Sequence, residues 1–384
     1  MTREDKLLKE YEEKLLYYYA KANTKSKRKR ILYDLFNFSS VCYEHFDIKK
    51  NFPWEDDIEM LKLYEDLEKM FITNTFKNKE FYFDISSRVI NTYVDLKYPF
   101  YTDYCRLIGS LSPLQVEELT FDFLNNYDSE LLNKYKDKIR NCELFDDSIY
   151  GKTGFSGLTY PFEYLKKSLI FIDDDSSSVA SASIVMHEFG HSFEYDIMYK
   201  CGVDNYLPKI SKLPYSEVAS RFFEYAFLNY LKENKIYEND VDICLSKYFK
   251  TMLVYMYEMN LICKMKNLNI NEYGYAVIDE QELSIYAKVM QERLNYYYSS
   301  SDIGEEINYN HAFLYGIGSL FSIYLYDNYK ENKTEFKKEF VNALINYQYN
   351  DIEAFTRVGI TKEKLVEGKI LKRTLSSMIK GDNK

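Results

Sequence analysis

Long segments of this 384-residue sequence carry apolar residues at the spacing of an α-helix, and the two residue types that interrupt helices are scarce: 13 Gly and 6 Pro. Apolar residues that recur every three or four positions predict helices. The clearest segments of this kind are residues 57–71, 179–199, 216–233, 240–265 and 280–298. The best strand signal is residues 168–172 (SLIFI), a short apolar run with charged residues on both sides. The sequence therefore predicts a mainly α fold with a small β element.

A domain boundary is predicted where Gly and Ser gather between two helical patterns, in residues 146–157 (DDSIYGKTGFSG). The length of the chain allows two domains of moderate size, each with its own core. We therefore expect a helical N-terminal region over residues 1–147 and a second domain over residues 148–384, which contains the residues with recognisable chemistry.

Charge and composition argue against several classes of partner. The net charge of −10 repels a phosphate backbone, and the short basic run at residues 25–30 (KSKRKR) is typical of solvated surface, so we expect no nucleic-acid partner. No stretch approaches the ~18 apolar residues that span a bilayer, and the first residues lack the apolar core of a signal peptide. The six Cys form no CxxC pair. These features predict a cytoplasmic protein with free thiols and no membrane partner.

The strongest candidate site lies in the sequence SIVMHEFGHSFEY. His187 and His191 are four residues apart on a predicted helix, so both rings project from one face and can share a metal ion. Glu188 lies beside them, where a carboxylate can accept a proton from a water molecule that a metal activates. The pattern predicts a metal site, most simply zinc.

A catalytic zinc ion takes three protein ligands and leaves one position open, so a third ligand is expected elsewhere. The segment LPYSEVASRFFEY offers Glu217 and Glu224, seven residues apart and therefore on one face of a helix that begins near residues 214–216. We predict that Glu217 is the third ligand. Glu224 is expected to orient a ligand His by accepting its second ring N–H.

HEFGH followed by EVASRFFE resembles the oligoendopeptidase F and thimet oligopeptidase family of zinc metallopeptidases. Three further segments resemble the same family: GKTGFSG with the strand before the zinc helix, YGIGSLFSIYLYDNY from Tyr315, and NDIEAFTRVGITKEKL near the C-terminus. The resemblance covers about residues 150–380, and the chain is shorter than usual members of the family.

This resemblance implies a mainly α, zincin-type metallopeptidase: a clamshell around a deep substrate channel, with a small β-sheet beside the active-site helix. It implies one Zn²⁺ per chain, Glu188 as the general base, and short unfolded peptides as substrates of an endopeptidase. Residues 168–172 would be the sheet edge that pairs with the substrate backbone.

The family stabilises the tetrahedral oxyanion with a His and one or more Tyr from the helix that faces the zinc. When Tyr315 and Gly318 are matched to the family's Tyr and Gly, His311 lies closer to them than the family's His does, at a place that a Tyr more often holds. The resemblance implies that His311 and Tyr315 stabilise the oxyanion, with Tyr309 as the second Tyr candidate. A packing role for His311 stays open.

Two alternatives remain at this stage. The altered spacing around His311 would suit a zinc-retaining peptide-binding protein with little catalysis, and the same HExGH helix would suit a metallocarboxypeptidase. The sequence leaves cleavage specificity, physiological substrate, the role of the N-terminal region and oligomeric state undetermined.

Overall fold

The computed structural model describes residues 13, 14, 17, 21, 77–98, 111–140, 143–145, 157–162, 167–173, 178–202, 214–265, 275–277, 284, 288 and 306–381. This part of the chain is mainly helical, as the sequence predicts. The predicted helix over 57–71, most of the one over 280–298, the basic run at 25–30 and residues 151–156 of the Gly-rich segment lie outside the described residues.

Helices and strands follow one another in this order: α1 (Lys79–Leu96), α2 (Pro113–Tyr127), α3 (Ser129–Arg140), β1 (Glu143–Phe145), β2 (Gly157–Phe162), β3 (Lys167–Asp173), α4 (Val179–Lys200), α5 (Val218–Glu233), α6 (Glu238–Lys264), β4 (Tyr275–Val277), β5 (Glu306–Asn308), α7 (Tyr309–Glu331), α8 (Lys333–Asn350), a 3₁₀ helix (Asp351–Val358), α9 (Lys362–Glu367) and α10 (Lys369–Gly381).

The chain divides into two compact units, and each contains segments that are distant in sequence. Unit 1 comprises Met1–Tyr64 and Ser110–Pro208, and unit 2 comprises Glu65–Gly109 and Lys209–Lys384. The expected functional division between residues 147 and 148 stays a prediction.

In unit 1, the strands form a three-stranded sheet in the order β1-β3-β2, and α4 packs against β2 and β3. β3 pairs with β1 in parallel and with β2 in antiparallel orientation. The predicted strand at residues 168–172 therefore exists as part of β3. Its expected role as a sheet edge is contradicted for residues 171–172, which pair with both β1 and β2. For residues 168–170, which pair with β2 and not with β1, that role stays a prediction. Among the described strands, β2 is the edge next to α4.

Helix α4 begins with a capping box, in which the Ser178 hydroxyl accepts from the Ser181 N–H and the Ser181 side chain accepts from the Ser178 N–H. Most of its residues are buried, including polar ones such as Ser192 and Glu194, so α4 is enclosed on nearly all sides. A helix of this kind belongs inside a domain. This agrees with the helix predicted over residues 179–199.

Unit 2 is built around α5, α6 and α7, which pack against one another, while α1 packs on α6. The Asn260 side chain on α6 donates to the Ser86 hydroxyl on α1 over 2.9 Å. Aromatic rings fill the core, and Phe222 of α5 is fully buried with its ring centroid 4.8 Å from that of Phe340. The helices predicted over 216–233 and 240–265 are thus confirmed as α5 and α6.

None of the helices in the described ranges is both long enough and apolar enough to cross a membrane.

Candidate metal centre and catalytic site

Helix α4 carries three of the candidate residues, His187, Glu188 and His191, within two adjacent turns. The rings of His187 and His191 project from the same face, with centroids 5.0 Å apart and planes at 79°. Both histidines are half-buried. Glu188, next to them, is 6% exposed. The predicted i, i+4 arrangement is therefore present on a well-packed helix.

The Glu188 carboxylate lies against β2. Thr159 Oγ1 donates to Glu188 Oε2 over 2.8 Å and is also 2.8 Å from the backbone oxygen of Glu188. Gly157, two residues earlier on the strand, is in such close contact that a β-carbon there would lie 2.8 Å from Glu188 Oε1. A buried carboxylate needs hydrogen bonds to offset its desolvation, and Thr159 supplies one of them.

Glu217 lies at the N-cap of α5, because the helix begins at Val218, slightly later than predicted. Its side chain accepts from the Ser220 hydroxyl over 2.7 Å and does not cap a backbone N–H. It is 8% exposed. A negatively charged side chain at a helix N-terminus interacts favourably with the helix dipole.

Gly318 of α7 lies against the backbone of Glu217. A β-carbon at position 318 would lie 2.7 Å from the carbonyl oxygen of Glu217 and 3.0 Å from its carbonyl carbon and Cβ. Real β-carbons do not approach other atoms this closely. The close approach of α7 to the start of α5 therefore depends on the missing side chain.

A buried guanidinium lies one turn after Glu217. Arg221 forms an ion pair with Glu224 over 2.6 Å, donates through Nε to the Ser319 hydroxyl over 2.9 Å, and stacks over the ring of Tyr248 at 3.9 Å. Its Nη2 has no hydrogen-bond partner among the described residues. Burial has the largest single effect on the pKa of Arg221 and lowers it. The nearby Glu224 and Glu217 carboxylates and two tyrosines together outweigh that effect, so the pKa is raised above its usual value. The expected role of Glu224 in orienting a ligand His stays a prediction.

Replacing Arg221 with Met is expected to lower the free energy of unfolding by about 3–5 kcal/mol, because removal of one member of a buried ion pair leaves the other charge without that partner. Urea denaturation measures this loss. The matched control is Lys330→Met, which breaks a pair with Glu233 whose side chains are 54% and 47% exposed, and which should cost about 1 kcal/mol or less. Equal losses for both variants would contradict a structural role for the buried pair.

His311 and Tyr315 lie one turn apart on α7, with ring centroids 5.4 Å apart at 86°. Tyr315 also stacks on Tyr255 of α6, at 5.5 Å and 23°. The His311 side chain keeps an exposed surface, yet the surrounding protein desolvates the ring and lowers its pKa, against the opposing effect of the Glu217 carboxylate. His311 is thus favoured as a neutral imidazole, which can donate one hydrogen bond. Tyr309, the second Tyr candidate, is the first residue of α7.

Within the described residues, His187, His191 and Glu217 form a group that could hold a metal ion. One ligand atom from each of the three lies within 4.8 Å of the other two. Two imidazoles and one carboxylate match the donor set of catalytic zinc sites, in which a fourth position stays open. The side chains present here therefore fit the metal that the sequence predicts.

Sequence reasoning missed four residues at these sites: Gly157, Thr159, Arg221 and Tyr255. Arg221 had a usable signal, because a charged residue in the apolar run VASRFF must find a partner inside the fold. The position of Gly157 and Thr159 depends on which strand packs beside α4, and no local pattern indicates that. Glu258, one turn after Tyr255, is also notable because burial raises its pKa to about 8.

No family model and no curated protein matches this sequence. Solved structures do match the fold. An X-ray structure described as an oligoendopeptidase F is 12% identical, covers 94% of this chain and 70% of its own, and has a TM-score of 0.53. A structure of PZ peptidase A with an inhibitor is 13% identical, with 94% and 71% covered and a TM-score of 0.52.

At such low identities the likeness establishes a shared fold. The chain spans 61% to 71% of the length of the solved structures that it matches. The fold predicted from the HEFGH and EVASRFFE motifs is thus the fold of structures described as peptidases.

Proposed function

We propose that this protein is a zinc-dependent metalloendopeptidase that hydrolyses short unfolded peptides. The observation that supports this most directly is the His187, His191 and Glu217 group, with the buried carboxylate of Glu188 next to the first ligand on the same helix. The fold likeness to two peptidase structures supports the same assignment. We propose one Zn²⁺ per chain, held by these three side chains.

A bound zinc ion would supply Lewis acidity toward water and the scissile carbonyl. The rest of the chemistry belongs to the chain. Glu188 accepts a proton from the attacking water and later delivers it to the leaving amine, as a general base and then a general acid. Thr159 holds one of its oxygens by a hydrogen bond of 2.8 Å.

His311 and Tyr315 are proposed to stabilise the negative charge that develops on the carbonyl oxygen. Each can donate one hydrogen bond, the neutral imidazole through its ring N–H and the phenol through its O–H. The lowered pKa of His311 favours a donor that carries no charge of its own before the reaction.

A substrate channel within a clamshell would admit extended peptides and exclude folded proteins, which accounts for the proposed preference for short peptides. We place the catalytic residues in a domain over 148–384, after a helical region over 1–147, and we propose a cytoplasmic location. Oligomeric state is left open.

The test uses a quenched peptide library blocked at both ends, with the bound metal measured on the same purified protein. We expect cleavage and about one zinc per chain, loss of cleavage after chelation, and recovery on addition of Zn²⁺. Cleavage of a matched peptide that has a free C-terminus, without cleavage of the blocked library, would favour a metallocarboxypeptidase. Zinc and peptide binding without turnover would favour the peptide-binding alternative, and absence of metal would refute the proposal.

A further inference from the structure

Strand β2 presents two residues to the catalytic carboxylate. Alternate residues of a strand share one face, so positions 157 and 159 both point toward the same side of the sheet. Thr159 is 5% exposed and hydrogen-bonds Glu188, and Gly157 lies directly against the same side chain. Both residues thus belong to one contact surface, which we call the Glu188 seat.

We propose that Thr159 and Gly157 are positioning residues that set the orientation of the Glu188 carboxylate. The inference rests on the proposed function, in which Glu188 carries the proton. Thr159 holds Oε2, and Gly157 provides the space that Oε1 and Cγ occupy.

The hydroxyl of Thr159 lies within hydrogen-bond distance of two oxygens of Glu188. It lies 2.8 Å from the side-chain oxygen Oε2 and 2.8 Å from the backbone oxygen of the same residue. With one hydrogen to donate, it can serve either acceptor, and a hydrogen bond to an ionised oxygen is the stronger one. The carboxylate is thereby held next to its own backbone instead of rotating among several side-chain conformations.

Gly157 acts by leaving space. A β-carbon at this position would lie 2.8 Å from both Cγ and Oε1 of Glu188 and 2.7 Å from Ile184 Cγ2. Two neighbours on α4 would have to move together, and one of them is the catalytic side chain. Any residue other than Gly is therefore expected to push the carboxylate away from its orientation.

The seat is fixed by the sheet. Gly157 pairs with Ile172 and Thr159 pairs with Ile170 of β3, the central strand. β3 is in turn tied to α4, because the hydroxyls of Ser168 and Ser192 lie 3.0 Å apart. A catalytic group supported by paired strands and a packed helix is held more accurately than one on a loop. This is the support that a general base needs, since small displacements are costly in rate.

The decisive experiment compares Thr159→Val with Thr159→Ser. Valine keeps the shape and removes the hydroxyl, and we expect kcat for a blocked quenched peptide to fall by about 10- to 100-fold, with KM and bound zinc unchanged. Serine keeps the hydroxyl and is expected to restore kcat to within about threefold of the wild-type value. Gly157→Ala is expected to lower kcat by at least as much as Thr159→Val.

The matched control is Thr120→Val. Thr120 is also fully buried in unit 1, and its hydroxyl donates to the Glu117 carbonyl oxygen over 2.9 Å, away from the candidate site. It should leave kcat unchanged. A wild-type kcat in Thr159→Val would overturn the inference. A loss of kcat that Thr159→Ser does not restore would also overturn it, and so would a loss that accompanies lower zinc content or a lower Tm. A wild-type protein that does not cleave would instead refute the proposed function, and the inference with it.

Discussion

Glu188→Gln is expected to reduce kcat for peptide hydrolysis by about a thousandfold, within the range that general acid–base catalysis contributes, while the bound metal stays at the wild-type level. Glutamine preserves the shape of the side chain and can still accept a hydrogen bond from Thr159 through its amide oxygen. It cannot accept a proton at neutral pH. The two candidate ligands on the same helix, His187 and His191, are unchanged. Activity and zinc content measured on the same samples check both halves of this prediction.

The control for the change of charge is Glu130→Gln, an exposed residue in the first turn of α3. It should leave both turnover and metal content unchanged. If Glu188→Gln retained more than about a tenth of wild-type kcat, the proton would have to move through another group and the role of Glu188 would be refuted. If the variant lost its zinc, the result would report on the metal site and not on the base.

The parts of the site that sequence reasoning predicted are those fixed by one helix. Residues four apart on a helix share a face, so the relation of His187 to His191 follows from the helical pattern alone. The apolar residues at helical spacing over residues 179–199 indicate that helix well. The position of Glu217 relative to the histidines cannot be derived this way, because it depends on tertiary packing. Glu217 was predicted because a catalytic zinc takes a third ligand and a nearby helix offers a carboxylate, and the resemblance to a family agreed with that choice.

The order of the strands, in contrast to the residues on one helix, was not predicted from the sequence. The apolar run SLIFI indicated a strand correctly, but a continuous apolar run is typical of a strand that neighbours cover. β2 pairs along the whole run, and β1 pairs with it from residue 171 onward. The edge next to α4 is β2, GLTYPF, whose Gly and Pro make a weak strand signal. Strand order depends on pairing between distant segments, and the local pattern contains too little of that information. The Glu188 seat was missed for the same reason.

The surroundings of Arg221 are a third feature that the sequence alone does not predict. Its burial among Glu224, Ser319 and Tyr248 requires α5, α6 and α7 to meet at one place. The sequence reveals that the charge sits in an apolar run. Which residues compensate the charge is decided by packing between the helices, and Ser319 is 98 residues away along the chain.

Gly318→Ala is expected to lower zinc affinity and kcat/KM by about 100-fold each, the loss that follows when the support of a metal ligand is disturbed. The added methyl group would lie 2.7 Å from the carbonyl oxygen of Glu217. That oxygen cannot easily move aside, since it accepts from the backbone N–H of Arg221 over 3.0 Å. The start of α5 must therefore shift, and the Glu217 carboxylate shifts with it. Zinc titration and peptide turnover measure the two effects.

Gly316→Ala is the matched control, because it makes the same substitution two residues earlier on α7. A β-carbon there would meet Tyr255 Cβ at 3.5 Å and other atoms at 3.7 Å, which are ordinary contacts. Gly-to-Ala changes inside helices commonly stabilise by up to about 1 kcal/mol. Gly316→Ala should therefore keep its zinc and unfold at the same or a slightly higher temperature, whereas Gly318→Ala should lose zinc and unfold at a lower one. Equal behaviour of the two variants would mean that the contact between Gly318 and Glu217 does not position the third ligand.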